Sequence, residues 1–243
     1  DAVSIVTPTV NHYEIARYFI KKNKHVLIEK PMTQTVSEAK KLINLAKKHK
    51  KIIQIGHLER FNPVIRKVSS LIKNPLFIEV HRLAQFNPRS TDVNVVYDLM
   101  IHDIDITTSL VPSKIKKISS FGKSIITNKI DIANARLEFF NGTIANLTAS
   151  RISQKNERKI RIFEKDKYLS LDFLQPKLKI VEKVKKKSSK LFKTIEYNYK
   201  KTDALNDEII DFINSIRMNK KPLVDGIQGM EALKLATAIS KKL

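Results

Sequence analysis

Three short apolar segments alternate with two amphipathic helices near the start of the chain, and this alternation limits the possible folds more than any other feature. The segments are AVSIVTP (2–8), HVLIEKP (25–31) and KIIQIGH (51–57). Their length and β-branched residues are typical of buried strands. Residues 11–22 and 35–50 lie between them and carry apolar side chains at helical spacing, with Ser37 as the predicted N-cap of the second helix. Strands and helices in this order predict a parallel sheet with helical crossovers over residues 1–58.

The pattern changes after Gly56 and predicts a second domain over residues 59–243. Four of its segments have helical periodicity: 61–72, 93–110, 204–218 and 226–243. From Ile115 onward, short alternating segments are separated by turn signals such as Asn141-Gly142, which predicts an antiparallel sheet. The lysine-rich segment 177–201 is typical of a solvated hairpin at a sheet edge. The expected fold class is therefore α/β followed by α+β.

Composition excludes several classes of protein. The chain has 243 residues and no cysteine, which rules out disulfides and thiolate metal sites and favours the cytoplasm. No apolar run reaches the ~18–20 residues of a membrane span, so we expect no membrane association. The net charge of +22 allows a nucleic-acid partner. However, the chain contains 36 lysines and only 10 arginines, and arginine is the residue that reads phosphates and bases, so we expect no nucleic-acid binding.

The carboxyl ends of the three predicted strands are the expected ligand-binding edge of the first domain. Lys30 follows the second strand directly and is held by Pro31, which would direct its side chain into a crevice on a stiff backbone. The alternative is an ordinary surface lysine.

The segment VYDLMIHDIDI (96–106) places Asp98 and His102 four residues apart, on one face of a predicted helix. A carboxylate beside an imidazole raises its basicity and fixes its orientation, so this pair could move a proton. A metal site is less favoured, because a second histidine at helical spacing is missing. A buried structural histidine is the other alternative, and no role is assigned to Asp103 or Asp105.

Several consecutive motifs resemble one enzyme family. DAVSIVTPTVNH, KHVLIEKPMT, GHLERFNP and YDLMIHDIDI are similar, in this order, to signatures of the glucose–fructose oxidoreductase, inositol dehydrogenase and rhizopine catabolism (Gfo/Idh/MocA) family. The later segments DIANARLEFFNGTIANLTASR and RKIRIFEKDKYLSLDF resemble a branch related to UDP-N-acetylglucosamine 3-dehydrogenases.

The resemblance implies an NAD- or NADP-dependent oxidoreductase acting on a sugar or nucleotide sugar. It also implies a Rossmann-like parallel sheet, of which residues 1–58 are the C-terminal part, followed by an open antiparallel-sheet substrate domain that packs in a homo-oligomer. The implied catalytic residues are Lys30, Asp98 and His102. The implied cofactor contacts are Thr7, Pro8, His12, Glu29 and Lys30.

The residues and this resemblance together predict a mechanism. His102, tuned by Asp98, would take the hydroxyl proton, and Lys30 would stabilise the charge on the oxygen. Arg60, Arg82 and Arg89 are expected near the substrate and could bind a diphosphate, with structural salt bridges as the alternative.

One departure from the family pattern is the missing Gly-x-Gly-x-x-Gly turn, which binds the cofactor pyrophosphate. We expect this turn and the first strands of the domain to precede Asp1. A non-catalytic binding or assembly subunit on the same fold is the competing hypothesis, and the presence of Lys30, Asp98 and His102 argues against it.

Overall fold

The computed structural model of the chain describes residues 1–88, 93–184, 191–200 and 202–243, and it divides into two compact units. The first unit comprises Asp1–Phe61 and Asp203–Thr237, and the second comprises Asn62–Thr202 and Ala238–Leu243. The helices are α1 (Thr9–Lys21), α2 (Val36–Lys48), α3 (Pro63–Leu71), α4 (Ile101–Leu110), α5 (Ala204–Arg217) and α6 (Gly226–Ser240).

The described residues also form strands in both units. They are β1 (Ala2–Ile5), β2 (His25–Glu29), β3 (Ile53–Gly56), β4 (Phe77–Leu83), β5 (Ile115–Lys123), β6 (Ile132–Phe139), β7 (Ile144–Ser150), β8 (Glu157–Glu164), β9 (Lys167–Asp172), β10 (Lys177–Lys183) and β11 (Phe192–Asn198). A short 3₁₀ helix spans Leu58–Phe61 and a π-helix spans Val96–Met100.

The first unit contains a parallel sheet in the order β1-β2-β3, which confirms the predicted β-α-β-α-β alternation. The α2 helix begins differently from the expectation. Thr35, not Ser37, is its N-cap: the Thr35 hydroxyl accepts from Glu38 N (3.2 Å), and the Glu38 carboxylate accepts from Thr35 N (3.0 Å). This reciprocal capping box satisfies two N–H groups at once, which a cap at Ser37 would not do.

Residues 203–237 belong to the first unit, although the sequence placed them in the second domain. The backbone N–H of Ile55 donates to Val224 O (3.0 Å), and the Gln54 side chain donates to Glu208 O (2.9 Å). A Cβ on Gly229 would lie 2.4 Å from Ile55 Cγ1, so only glycine lets α6 approach β3 this closely. These long-range contacts, which periodicity does not report, hold α5 and α6 to the parallel sheet.

The second unit is built on an eight-stranded sheet in the order β11-β10-β9-β8-β4-β7-β6-β5. The sheet is mixed and not purely antiparallel as predicted, because β4 and β7 pair in parallel. The turn at Asn141-Gly142 connects β6 to β7, with Gly142 at φ 88°. Strands β10 and β11, from the two described parts of the lysine-rich segment, pair at the edge of this sheet, as predicted.

Candidate active site

The parallel sheet of the first unit brings three carboxyl ends to one edge. β1 is followed by Thr7 and Pro8, β2 ends at Glu29 and is followed by Lys30, and β3 ends at Gly56. The β2–β3 register places Glu29 directly opposite Gly56. Because ligands of such sheets bind at this edge, the expected cofactor contacts of this unit lie at the appropriate end of the strands.

His12 joins two of these strand ends. Its side chain is 1% exposed, and its Nδ1 lies 3.0 Å from Pro31 O while its Nε2 lies 2.7 Å from Thr7 O. Both partners are carbonyl oxygens, which only accept hydrogen bonds. A neutral imidazole can donate to one of them, and the doubly protonated ring donates to both. The loop after β1 and the turn after β2 are therefore tied together through one ring.

The turn after β2 carries Lys30 and is closely packed. The Glu29 Oε2 atom accepts from Lys30 N (3.1 Å), and the Lys30–Pro31 peptide is cis. A Cβ on Gly56 would lie 2.8 Å from Glu29 Oε1, so the carboxylate packs directly over this glycine. Burial raises the pKa of Glu29, against the opposing effects of the Lys30 N–H group and of the charges on Lys30 and His12.

The first unit also fits a dinucleotide at the start of α1. This helix begins after Pro8 with no side-chain cap and no acidic residue in its first turn. The first N–H groups of a helix lack partners within the helix, and its N-terminus favours negative or polar ligand groups. The exposed Thr7 and Pro8 precede it directly. These features match the polar, anionic character of a nicotinamide dinucleotide.

In the second unit, Asp98 and His102 lie on consecutive turns at the start of a helical segment. Asp98 is in the π-helix and His102 is in the first turn of α4. A π-helical turn within an α-helix is rare and occurs frequently at functional sites. Four residues return to nearly the same side of such a helix, so the backbone places the two positions on one face.

The backbone that enters this helix is held at several points. Asn94 Oδ1 accepts from Val96 N (3.1 Å), and its Nδ2 donates to Ser240 Oγ (2.7 Å). Val95 N donates to Ile130 O (3.0 Å), and Arg151 Nη2 donates to Val93 O (2.7 Å). The start of the Asp98–His102 segment is thus positioned by three other parts of the same unit.

Arg82 is engaged in a buried ion pair with Asp103. Its Nε lies 3.0 and 2.9 Å from Oδ1 and Oδ2 of Asp103, and both side chains are almost fully buried. At Arg82 the structure therefore shows the structural salt bridge, which was the alternative to substrate binding. Asp103 is the partner in this salt bridge. Arg60 lies in the 3₁₀ helix of the first unit, and Arg89 lies outside the described residues.

Asp131 is a structural residue that the sequence did not single out. Its Oδ2 accepts from the N–H groups of Ile125 (2.8 Å), Ile126 (2.8 Å) and Thr127 (2.9 Å), and its Oδ1 accepts from Thr127 Oγ1 (2.7 Å). Burial acts to raise the pKa of Asp131, but these hydrogen bonds outweigh it and hold the pKa well below its ordinary value. The loop ordered by Asp131 includes Ile130, whose carbonyl holds Val95.

Two further observations bear on the class of protein. Within the ranges that the structure describes, no group of three or more His, Asp or Glu side chains is arranged to hold a metal ion. None of the helices described combines the length and the apolarity that a membrane crossing requires.

Known proteins resemble both parts of the chain. Residues 1–57 match the model of an oxidoreductase family with an NAD-binding Rossmann fold, and residues 72–242 match the C-terminal alpha/beta domain of the same family. The chain is 38% identical to UDP-N-acetylglucosamine 3-dehydrogenase from Acidithiobacillus ferrooxidans, over 98% of this chain and 77% of that enzyme.

Solved structures agree with these matches. A structure of UDP-N-acetylglucosamine 3-dehydrogenase from Acidithiobacillus ferrooxidans superposes with a TM-score of 0.95 at 37% identity, covering 100% of this chain and 79% of that one. An inositol dehydrogenase homologue from Azotobacter vinelandii, complexed with NADH and myo-inositol, gives a TM-score of 0.85 at 16% identity, covering 99% and 75%. The second likeness shows a shared fold. Together the matches favour an oxidoreductase over the non-catalytic alternative.

Proposed function

The chain belongs to the Gfo/Idh/MocA family of NAD-binding oxidoreductases, and from that premise we propose that it is a nucleotide-sugar dehydrogenase whose substrate is UDP-N-acetylglucosamine or a close analogue. The observation that carries this proposal is the similarity to UDP-N-acetylglucosamine 3-dehydrogenase, which extends over 98% of the chain. The reaction would convert one ring hydroxyl to a ketone, with loss of a hydride from the carbon and of a proton from the hydroxyl.

The chain's own residues divide this work between binding and proton transfer. His102 is the general base that takes the hydroxyl proton, and Asp98 orients its ring and raises its basicity. Lys30 donates a hydrogen bond to the oxygen on which negative charge develops. Support comes from the residue types and from the tightly held backbone on which each of these side chains stands. The bound nicotinamide supplies the hydride acceptor.

The cofactor is held by the strand ends of the first unit in this proposal. Thr7, Pro8 and the open N-terminus of α1 contact its polar groups, with His12 and Glu29 fixing the loops behind them. Of the arginines considered for the substrate diphosphate, Arg60 and Arg89 remain candidates, because Arg82 is already committed to Asp103.

The assembly and cellular location complete the proposal. The second unit presents large exposed apolar side chains on its sheet strands and turns, including Phe121, Phe140 and Ile132. Such patches are typical of protein interfaces, and they support a homo-oligomer, which light scattering during gel filtration would test.

The absence of cysteine supports a location in the cytoplasm, where thiols stay reduced.

The proposed activity is tested by measuring nicotinamide reduction on the full-length gene product. UDP-N-acetylglucosamine should support reduction of NAD⁺ or NADP⁺, and free N-acetylglucosamine and myo-inositol should support far less. Lys30→Ala and His102→Asn should each lower kcat by about 10²-fold or more. A wild-type protein that binds NADH but oxidises no nucleotide sugar would contradict the proposal.

A further inference from the structure

Glu208 is a buried acid without a counter-ion in the first unit. It lies on α5 with its side chain 1% exposed, and its Oε1 has no hydrogen-bond partner among the described residues. None of the described basic side chains forms an ion pair with it. A carboxylate in such surroundings would be desolvated without compensation, whereas a protonated carboxyl group would not.

The neighbour that connects Glu208 to the sheet is Gln54 on β3, which is completely buried. Gln54 Nε2 donates to the backbone carbonyl of Glu208 (2.9 Å), and Gln54 Oε1 has no partner among the described residues. Two acceptor oxygens on adjoining elements therefore lack donors. A protonated Glu208 has an O–H group that can donate a hydrogen bond. An ionised Glu208 can only accept hydrogen bonds.

Glu29 is the second acid of this cluster, and its surroundings differ. It stands one strand away, opposite Gly56, and its Oε2 receives the Lys30 N–H group. Lys30 also places positive charge near it. Negative charge is therefore better accommodated on Glu29 than on Glu208.

Glu208 and Glu29 interact electrostatically, so a negative charge on one disfavours a negative charge on the other. Burial, together with the smaller effects of the charges on Glu29 and on Asp211 of the same helix, raises the pKa of Glu208 to about 8. Asp211 is itself occupied, because its Oδ2 accepts from Leu223 N (2.9 Å). The charged and titratable groups around the pair include Glu29 from β2, Lys30 after it, His12 from α1 and Asp211 from α5. The 3₁₀ helix that packs against α5 adds Glu59 and Arg60.

We propose that Glu208 is a positioning residue for the Glu29-Lys30-Pro31 turn: it keeps a proton at neutral pH, so that the negative charge of these two acids stays on Glu29 and holds the backbone of Lys30. The role of the turn in catalysis rests on the proposed function. Ionisation of Glu208 at alkaline pH places a second charge beside Glu29, and repulsion then loosens the turn that presents Lys30.

The first experiment measures ionisation directly and needs no turnover. In protein labelled with ¹³C at the glutamate carboxyl groups, the Glu208 signal is identified by its loss in Glu208→Gln. We expect it to titrate between about pH 7 and 9. A Glu208 that titrates near the ordinary pKa of 4.5 in the folded protein would overturn the proposal.

The second experiment asks whether this proton acts on catalysis. Glu208→Gln keeps the shape and the neutral state, so kcat at neutral pH should remain within about twofold of the wild type, and the alkaline fall in kcat should move up by about one pH unit or more. Glu208→Ala should lower kcat at all pH values. The matched control is Glu231→Gln on the exposed surface of α6, which should leave the profile unchanged.

Identical alkaline profiles for the wild type and Glu208→Gln would overturn the positioning role. If the wild-type protein turned over no nucleotide sugar, the proposed function would fail, while the carboxyl titration would still decide whether Glu208 holds its proton.

Discussion

Arg82 and Asp103 meet as a buried pair in which the Nε and Nη2 atoms of the arginine each lie within 3.0 Å of a carboxylate oxygen. The pair joins β4 to α4, the helix that carries His102 one residue before Asp103. Removing one partner leaves the other as an uncompensated buried charge. Replacing both partners by apolar side chains of similar size leaves no such charge and can preserve stability. Because the pair connects β4 to α4, it also fixes the position of the helix that carries His102.

We predict that Asp103→Ala lowers the free energy of unfolding by about 3–5 kcal/mol, as measured by urea denaturation. The double variant Arg82→Met/Asp103→Leu should recover most of this loss, because apolar side chains of similar size replace both charges. If the double variant lost as much stability as the sum of the two single variants, the unpaired charge would not be the cause.

His12 should be needed for the cofactor-binding edge. We expect His12→Asn to lose at least one of the two bonds that join Thr7 and Pro31, at a cost of about 1–3 kcal/mol in unfolding free energy. NADH affinity, measured by the fluorescence of the bound cofactor, should fall as well. His49→Asn is the control, since the ring of His49 hydrogen-bonds the side chain of Asn23 in an exposed position. Unchanged NADH affinity in His12→Asn would contradict the assigned role.

Because the pKa of Glu208 is raised, the free energy of unfolding should fall as the pH rises. Its pKa is raised from the ordinary 4.5 to about 8 in the folded chain, so the folded state holds a proton that the unfolded state has released. Its stabilising effect is complete below about pH 4.5 and is lost as the pH rises through about 8. Glu208→Gln should therefore gain stability over the wild type by up to about 1.4 kcal/mol per pH unit across this window. A difference that stayed constant with pH would exclude the raised pKa.

Asp131 should show the opposite dependence. Its pKa lies below the ordinary 3.8, so its contribution is present above that pH and is lost as the pH falls. We expect Asp131→Asn to cost about 2 kcal/mol or more at neutral pH, since an amide cannot accept from three N–H groups as a carboxylate does. Thermal unfolding of the wild type and of Asp131→Asn should show that their difference in stability becomes smaller as the pH falls. A gap that widened in acid would contradict the assignment.

The architecture of the first 57 residues could be predicted because periodicity and strand length are local properties. The cap of α2 was also available in the sequence, since Thr35 and Glu38 have the spacing of a capping box, whereas the expectation considered Ser37 alone. The parallel pairing of β4 with β7 could not be predicted, because alternation reveals which face of a strand is buried but not which strand lies beside it.

The buried polar residues show a different limit. Arg82 and Asp103 are separated by 21 positions, and Gln54 and Glu208 by 154, so no local pattern connects them. On α5 the apolar side chains do not mark the buried face. Ile209, Ile210 and Ile213 remain exposed, while Glu208, Phe212 and Ser215 form the buried face. Only the spacing of Glu208 four residues before Phe212 hints that the acid faces inward.

The measurement that tests the central claim most directly is transfer of isotope from substrate to cofactor. UDP-N-acetylglucosamine carrying deuterium on carbon 3 of the sugar ring would be incubated with the full-length gene product and NAD⁺ or NADP⁺, and the reduced cofactor analysed by mass spectrometry. We predict deuterium on the reduced nicotinamide, with loss of the transfer in His102→Asn. Reduced cofactor without deuterium would contradict oxidation at carbon 3, the position in the name of the similar enzyme from Acidithiobacillus ferrooxidans. No reduced cofactor at all from a folded protein that binds NADH would contradict the proposed dehydrogenase activity.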